Sequence, residues 1–144
     1  MATDSGTDSF LANRVDRAAL PLAVGDLLVI VAFIYVGTLQ HGTVPFPPTG
    51  AGDVLALLTV AAPFLVGWIV AAPLIGAYSA GAAESAKASV PLAIRSWIPA
   101  AAVGLIIRAT PVVEGGVAIT FAIVMLVVGS VSLGVWRYVA GQFL

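Results

Sequence analysis

A chain of 144 residues that is 60% hydrophobic, 9% charged and has a mean hydropathy of +1.10 is not a water-soluble globule, because soluble domains carry about a quarter charged residues. Six Lys and Arg against seven Asp and Glu leave a net charge of −1, which argues against a nucleic-acid partner. The lack of cysteine excludes disulfides, thiolate metal sites and cysteine nucleophiles.

The first 13 residues are rich in Ser, Thr, Asp and Gly and read as a disordered tail ahead of a single membrane domain over 14–144. Beyond them the charges are sparse. Residues 27–52, 54–83 and 115–136 are charge-free runs of 26, 30 and 22 residues, and 96–107 adds a shorter run of 12. A bilayer core of about 30 Å is crossed by about 20 apolar residues in a helix. The expectation is an all-α, integral membrane four-helix bundle with spans near 18–39, 54–77, 90–109 and 117–139. Pro21 and Pro91 fall in first turns, where a missing N–H costs nothing. The Gly- and Pro-rich stretch 41–52 reads as the first loop, 81–89 as the second and 110–116 as a tight third. Pro63, Pro73 and Pro99 lie inside spans, where kinks are expected. The apolar run after Arg14 and Arg17 is too long for a cleaved signal peptide.

Orientation follows from the basic residues. Arg14 and Arg17 precede span one, Lys87 lies in the second loop, Arg137 closes span four, and the first loop carries no Lys or Arg. The expected location is therefore the cell membrane with both termini cytoplasmic. Arg108 alone goes against this pattern.

Several features recur in order: Asp26 early in span one, Gly37-x-x-x-His41 at its end, and the run from Ala62 through Pro63, Phe64, Leu65, Val66 and Gly67 to Trp68. Trp97, Gly104-x-x-x-Arg108 and Trp136-Arg137 follow. Together they resemble the DUF3054 family, small four-helix membrane proteins of haloarchaea and actinobacteria, over residues 19–138. The resemblance implies a fold and a membrane location, and it adds weight to Asp26, His41, Arg108 and Arg137. It carries no activity, because the family's function is unknown.

Asp26 is the deepest charge, and a carboxylate there costs about 2.5–3.5 kcal/mol on insertion scales. It shares a helical face with Ile30, Phe33, Gly37 and Gln40, which is expected to point into the bundle. Either Asp26 is a structural partner of an arginine or it belongs to a proton or cation relay. Depth within the expected spans favours Arg95 over Arg137 as that partner, the alternative being that Arg95 snorkels to the headgroups. At the other end His41, Asp53, Arg108 and Glu114 gather at helix ends. Arg108 and His41 there suit an anion or carboxylate, or else Arg108 pairs with Glu114 and snorkels. A lone histidine makes no metal site. Trp136 and Tyr138 read as an interfacial belt, whereas Trp68 and Trp97 pack inside, each indole N–H seeking a carbonyl or Asp26.

The candidate binding residues are thus Asp26, His41, Arg95, Arg108 and Arg137, with no catalytic group, metal or cofactor implied. The chain lacks a nucleophile–base pair and a phosphate loop, so no enzyme is expected. The expected partners are the lipid bilayer and a second copy or another membrane protein. Two readings follow: a small oligomeric transporter or channel component using its intramembrane polar residues, or an accessory subunit in which those residues only fix helix packing.

Overall fold

The computed structural model describes residues 15–42, 44–110 and 119–143. The proposed tail, Glu114 and the third connection lie outside them. A short 3-10 turn, Arg17–Ala19, leads into α1 (Leu20–Gln40), followed by α2 (Ala51–Ile75), α3 (Ala86–Ala109) and α4 (Ile119–Phe143). All four helices are long and apolar enough to cross a membrane.

Each start has a local cause. Asp16 accepts from the Ala18 N–H at 3.4 Å ahead of α1, and Pro21 occupies its first turn. In the first turn of α2, Asp53 accepts the Thr49 N–H at 2.7 Å, with its charge against the positive end of the helix dipole. Ser85 caps α3 by accepting from Ala88 N, so this helix begins four residues earlier than the apolar run suggests. The chain leaves α2 through Gly76 at φ 99°, a left-handed conformation that suits glycine. The helices continue through Pro63, Pro73, Pro91 and Pro99.

Consecutive helices pack side by side, α2 most extensively on α3 and α3 on α4. Small residues set the spacing. A β-carbon on Gly67 would strike the backbone carbonyl of Ala100, and one on Gly129 would strike the Trp97 indole. Such close approach is how helices gain contact in lipid, where burial itself drives little. Gly67→Ala is therefore expected to destabilise the bundle by about 1–3 kcal/mol, the usual range for overpacking. The Ala100 backbone has no side chain that can yield, so a melting temperature in detergent equal to wild type would contradict this packing.

Aromatic rings fill the centre in a column. The Trp97 ring meets Phe33 at 5.4 Å, Phe64 at 6.2 Å and Trp68 at 6.5 Å, and Phe64 meets Phe121 at 6.2 Å. Outside the core, Val24, Leu28, Leu55, Ile69, Ile106, Ile123 and Val131 are exposed. That apolar exterior fits a bilayer and not water.

Candidate functional site

The charges inside the bundle form two separate groups, one toward each end. The first lies at the terminal end, where α1 begins and α4 ends. Asp26 and Arg137 are both fully buried and pair side-on, Nε donating to Oδ1 at 2.9 Å and Nη2 to Oδ2 at 2.6 Å. The other guanidinium nitrogen donates to Ser89 Oγ at 2.8 Å and to the Ala77 carbonyl at 3.3 Å. Tyr78 donates its hydroxyl to Asp26 Oδ2 at 2.6 Å and accepts from Trp68 Nε1 at 2.7 Å. The Arg137 guanidinium also stands 5.4 Å from the centre of the Tyr78 ring. Two-point pairing of this kind is the strongest geometry open to an arginine and a carboxylate.

Sequence places each member. Leu22, Asp26, Ile30, Ile34 and Thr38 are the buried residues of α1, spaced four apart along one ridge. Met125, Gly129, Leu133 and Arg137 do the same on α4. Tyr78 and Ala77 arrive because the chain turns back after Gly76, and the Asp16 N–H donates to the Tyr78 carbonyl at 2.7 Å to hold that turn.

Arg137, and not the expected Arg95, is the partner of Asp26. Arg95 is exposed and takes no part in the network, because it lies on the side of α3 opposite the buried row Ala93, Trp97, Ala100 and Gly104. The face of α1 is corrected in part. Asp26 and Ile30 are buried and Phe33 is half-buried, whereas Gly37 and Gln40 are exposed. Trp97 donates to the Met125 carbonyl at 2.9 Å, the kind of acceptor expected, whereas Trp68 donates to the Tyr78 hydroxyl and not to a carbonyl or to Asp26 itself. Trp136 is half-buried against Gly25, with its Nε1 enclosed. Tyr78 and Ser89 were not singled out from sequence.

Burial, and then the Asp26 charge, pushes the Tyr78 phenol well above its ordinary value of 10.0. A raised acid keeps its proton in the folded state, so its contribution to stability is complete below pH 10.0 and is lost as pH rises toward the folded value. In an alkaline titration of phenolate absorbance, the difference between wild type and Tyr78→Phe should stay flat through pH 10.0 and appear only on unfolding. A phenolate that forms at its ordinary midpoint would contradict the closed network.

The second group lies at the first-loop end. A cleft of about 420 Å³ runs between α1 and α4, backed by Val60, Phe64 and Arg108 of α2 and α3. Thr38, Gln40, His41 and Arg108 are its polar lining, and Phe33, Ile34, Val124, Met125 and Val128 are among its apolar walls. The Arg108 guanidinium sits 4.6 Å above the centre of the Phe121 ring, a cation–π distance. Its Nε is buried and makes no hydrogen bond among the described residues. The two Gly-x-x-x motifs end here, as Gly37, His41 and Arg108 all border the cleft. Asp53 does not join them, since its carboxylate holds Thr49. The expected pair of Arg108 with Glu114 lies outside the described residues. Among those residues no three His, Asp or Glu side chains lie together to hold a metal ion.

The aromatic column joins the two groups, from Tyr78 under Arg137 through Trp68, Trp97, Phe64 and Phe121 to Arg108. A smaller cavity of about 280 Å³ at the terminal end reaches Ser89.

No curated protein and no solved structure matches the sequence. A family described as "Protein of unknown function (DUF3054)" matches residues 23–140. That match takes in the lock of Asp26 and Arg137 and the cleft with Arg108, and the chain belongs to the DUF3054 family.

Proposed function

We propose that the protein is a non-enzymatic transport or channel component of the cell membrane whose working site is the cleft beside Arg108. One observation carries this reading: a guanidinium whose Nε is buried, without a partner among the described residues, on the wall of a largely apolar cleft. A cation inside a membrane is costly without a counter-charge, and an anion bound in the cleft would supply one to Arg108. Asp26 serves differently. Its oxygens are occupied by Arg137 and Tyr78, which supports a structural part and not a relay. Four helices provide few pore walls, and the exposed apolar exterior suits a second copy or another membrane protein.

The test is anion flux in proteoliposomes, with iodide and nitrate as probes. Arg108→Gln is expected to abolish any protein-dependent flux while leaving the melting temperature close to wild type. Flux that is absent, or indifferent to Arg108, favours the second reading, an accessory subunit. That reading draws on the closed Asp26–Arg137 pair, which fixes helix register without reaching solvent.

The same proposal sets both termini on the cytoplasmic side, as Arg17, Lys87 and Arg137 cluster toward one end of the bundle. Reporter fusions after Gly50 and after Leu144 should then report opposite faces of the membrane. The same face for both would refute a four-span topology.

A further inference from the structure

We propose that the ligand of the cleft is a single-chain amphipathic carboxylate, its head on Arg108 and its chain lying inward between α1 and α4. This rests on the reading of the cleft as an anion site and names the class of anion.

The protein's own chemistry points to the head group. Arg137 takes the Asp26 carboxylate through Nε and one Nη at 2.9 and 2.6 Å. Arg108 also borders the cleft with its guanidinium, but its Nε is enclosed, so a ligand meets the terminal pair of nitrogens. A carboxylate meets that pair with two oxygens and neutralises one guanidinium. Phosphate would bring more charge and more acceptors than one arginine can meet.

The gradient of polarity along the cleft points to the tail. Gln40, His41 and Arg108 lie at the helix ends, whereas Phe33, Met125 and Val128 lie deeper. From His41 to Phe33 is eight residues and from Phe121 to Val128 is seven, so the apolar part extends roughly 10–12 Å inward. Among the described residues, no carboxylate lines the cleft to repel the head. A small hydrophilic anion would satisfy Arg108 and leave the inner walls empty.

The experiment uses the full chain in nanodiscs of zwitterionic phospholipid, with empty nanodiscs as the blank. The probe is dansyl-labelled undecanoate, excited by transfer from tryptophan. Laurate should displace it, while dodecanol and acetate at equal concentration should not. Arg108→Gln should weaken the probe about tenfold or more, as loss of a charged hydrogen bond does. Val128 is exposed on the deep wall, so Val128→Trp should narrow the tail channel without disturbing the core. This variant should keep octanoate and lose laurate.

Dodecanol competing as well as laurate would overturn the head-group assignment. Acetate competing as well as laurate, or an unchanged chain-length profile in Val128→Trp, would overturn the long chain while leaving an anion site at Arg108. Affinity for all anions unaltered by Arg108→Gln would overturn both this inference and the reading beneath it. A lysophospholipid binding more tightly than laurate would assign the cleft to a phosphodiester lipid instead.

Discussion

Asp26→Leu is expected to destabilise the bundle by about 3–5 kcal/mol, and Arg137→Met by a similar amount, because each strands the other charge in a buried site. Arg137 would lose two hydrogen bonds from a guanidinium that has no access to solvent. The double variant Asp26→Leu with Arg137→Met should recover most of that loss, since a buried ion pair and apolar residues of similar volume are often close in stability. Recovery should fall short by about 1–3 kcal/mol, the cost of an unmade buried hydrogen bond. The Tyr78 hydroxyl accounts for it, because Asp26 is its acceptor and Trp68 only donates to it. Adding Tyr78→Phe would not restore the balance, as it moves the unpaired donor to the Trp68 indole. Arg95→Leu is the control: an exposed residue outside the network should leave stability nearly unchanged. Thermal melts in detergent measure all five variants. Additive losses in the double variant, or a large loss from Arg95→Leu, would overturn the assignment of Arg137 as the partner of Asp26.

The choice between Arg95 and Arg137 shows how far sequence reaches. Depth along the helices does not separate them. From helix midpoints, Asp26 lies roughly 6 Å, Arg95 roughly 4 Å and Arg137 roughly 9 Å toward the terminal end at 1.5 Å per residue. Ending the last span at residue 139 instead of Phe143 shifts its midpoint and makes Arg137 look too shallow. What separates them is the face. Arg137 continues the row Met125, Gly129 and Leu133 at intervals of four, whereas Arg95 stands opposite Trp97 and Ala100. That periodicity is written in the sequence, but apolar residues surround every helix here, so the hydrophobic pattern that marks a buried face in water is weak. Small residues carry the signal instead.

The expected face on α1 failed in part for a related reason. Spacings of four and three keep residues beneath one line parallel to the helix axis, whereas α1 buries the inclined ridge from Leu22 through Asp26 to Thr38. Gly37 and Gln40 fall off that ridge and border the cleft. The gathering of His41 and Arg108 at one end was legible because both close helices on the same side of the bundle, although the α1 and α3 backbones do not pack on each other and the two residues share only the lining of the cleft. Tyr78 and Ser89 were not legible. Their contacts with Asp26 and Arg137 span 52 and 48 residues, and they depend on a turn after Gly76 that no periodicity encodes.

Trp97→Ala should be among the most costly single substitutions in the bundle. The Trp97 side chain is wholly buried and touches aromatic rings from α1 and α2 while its indole rests on Gly129 of α4. Removing a buried tryptophan from a protein core costs about 3–5 kcal/mol. In a bilayer the surroundings are as apolar as the core, so little of this comes from transfer out of water. What remains is dispersion lost by the walls of the cavity, together with the hydrogen bond to Met125, and the loss should fall near 3 kcal/mol, the lower end of that range. Trp97→Phe separates the two contributions, because it keeps most of the ring contacts and gives up the N–H. Gly129→Ala alone should also destabilise, by about 1–3 kcal/mol, since its β-carbon would strike the indole. Combined with Trp97→Phe, the same β-carbon enters space the smaller ring has vacated, and the pair should lose less than the sum of its parts. Residues in contact depart from additivity in this way, whereas distant sites do not. Melting temperatures for the two singles and the double give the coupling directly, and strict additivity would mean that Trp97 does not sit on Gly129. The sign of the coupling matters for the cleft as well. Phe64 lies between Trp97 and Phe121, the ring beneath Arg108, so a slackened Trp97 site loosens the floor on which the guanidinium rests.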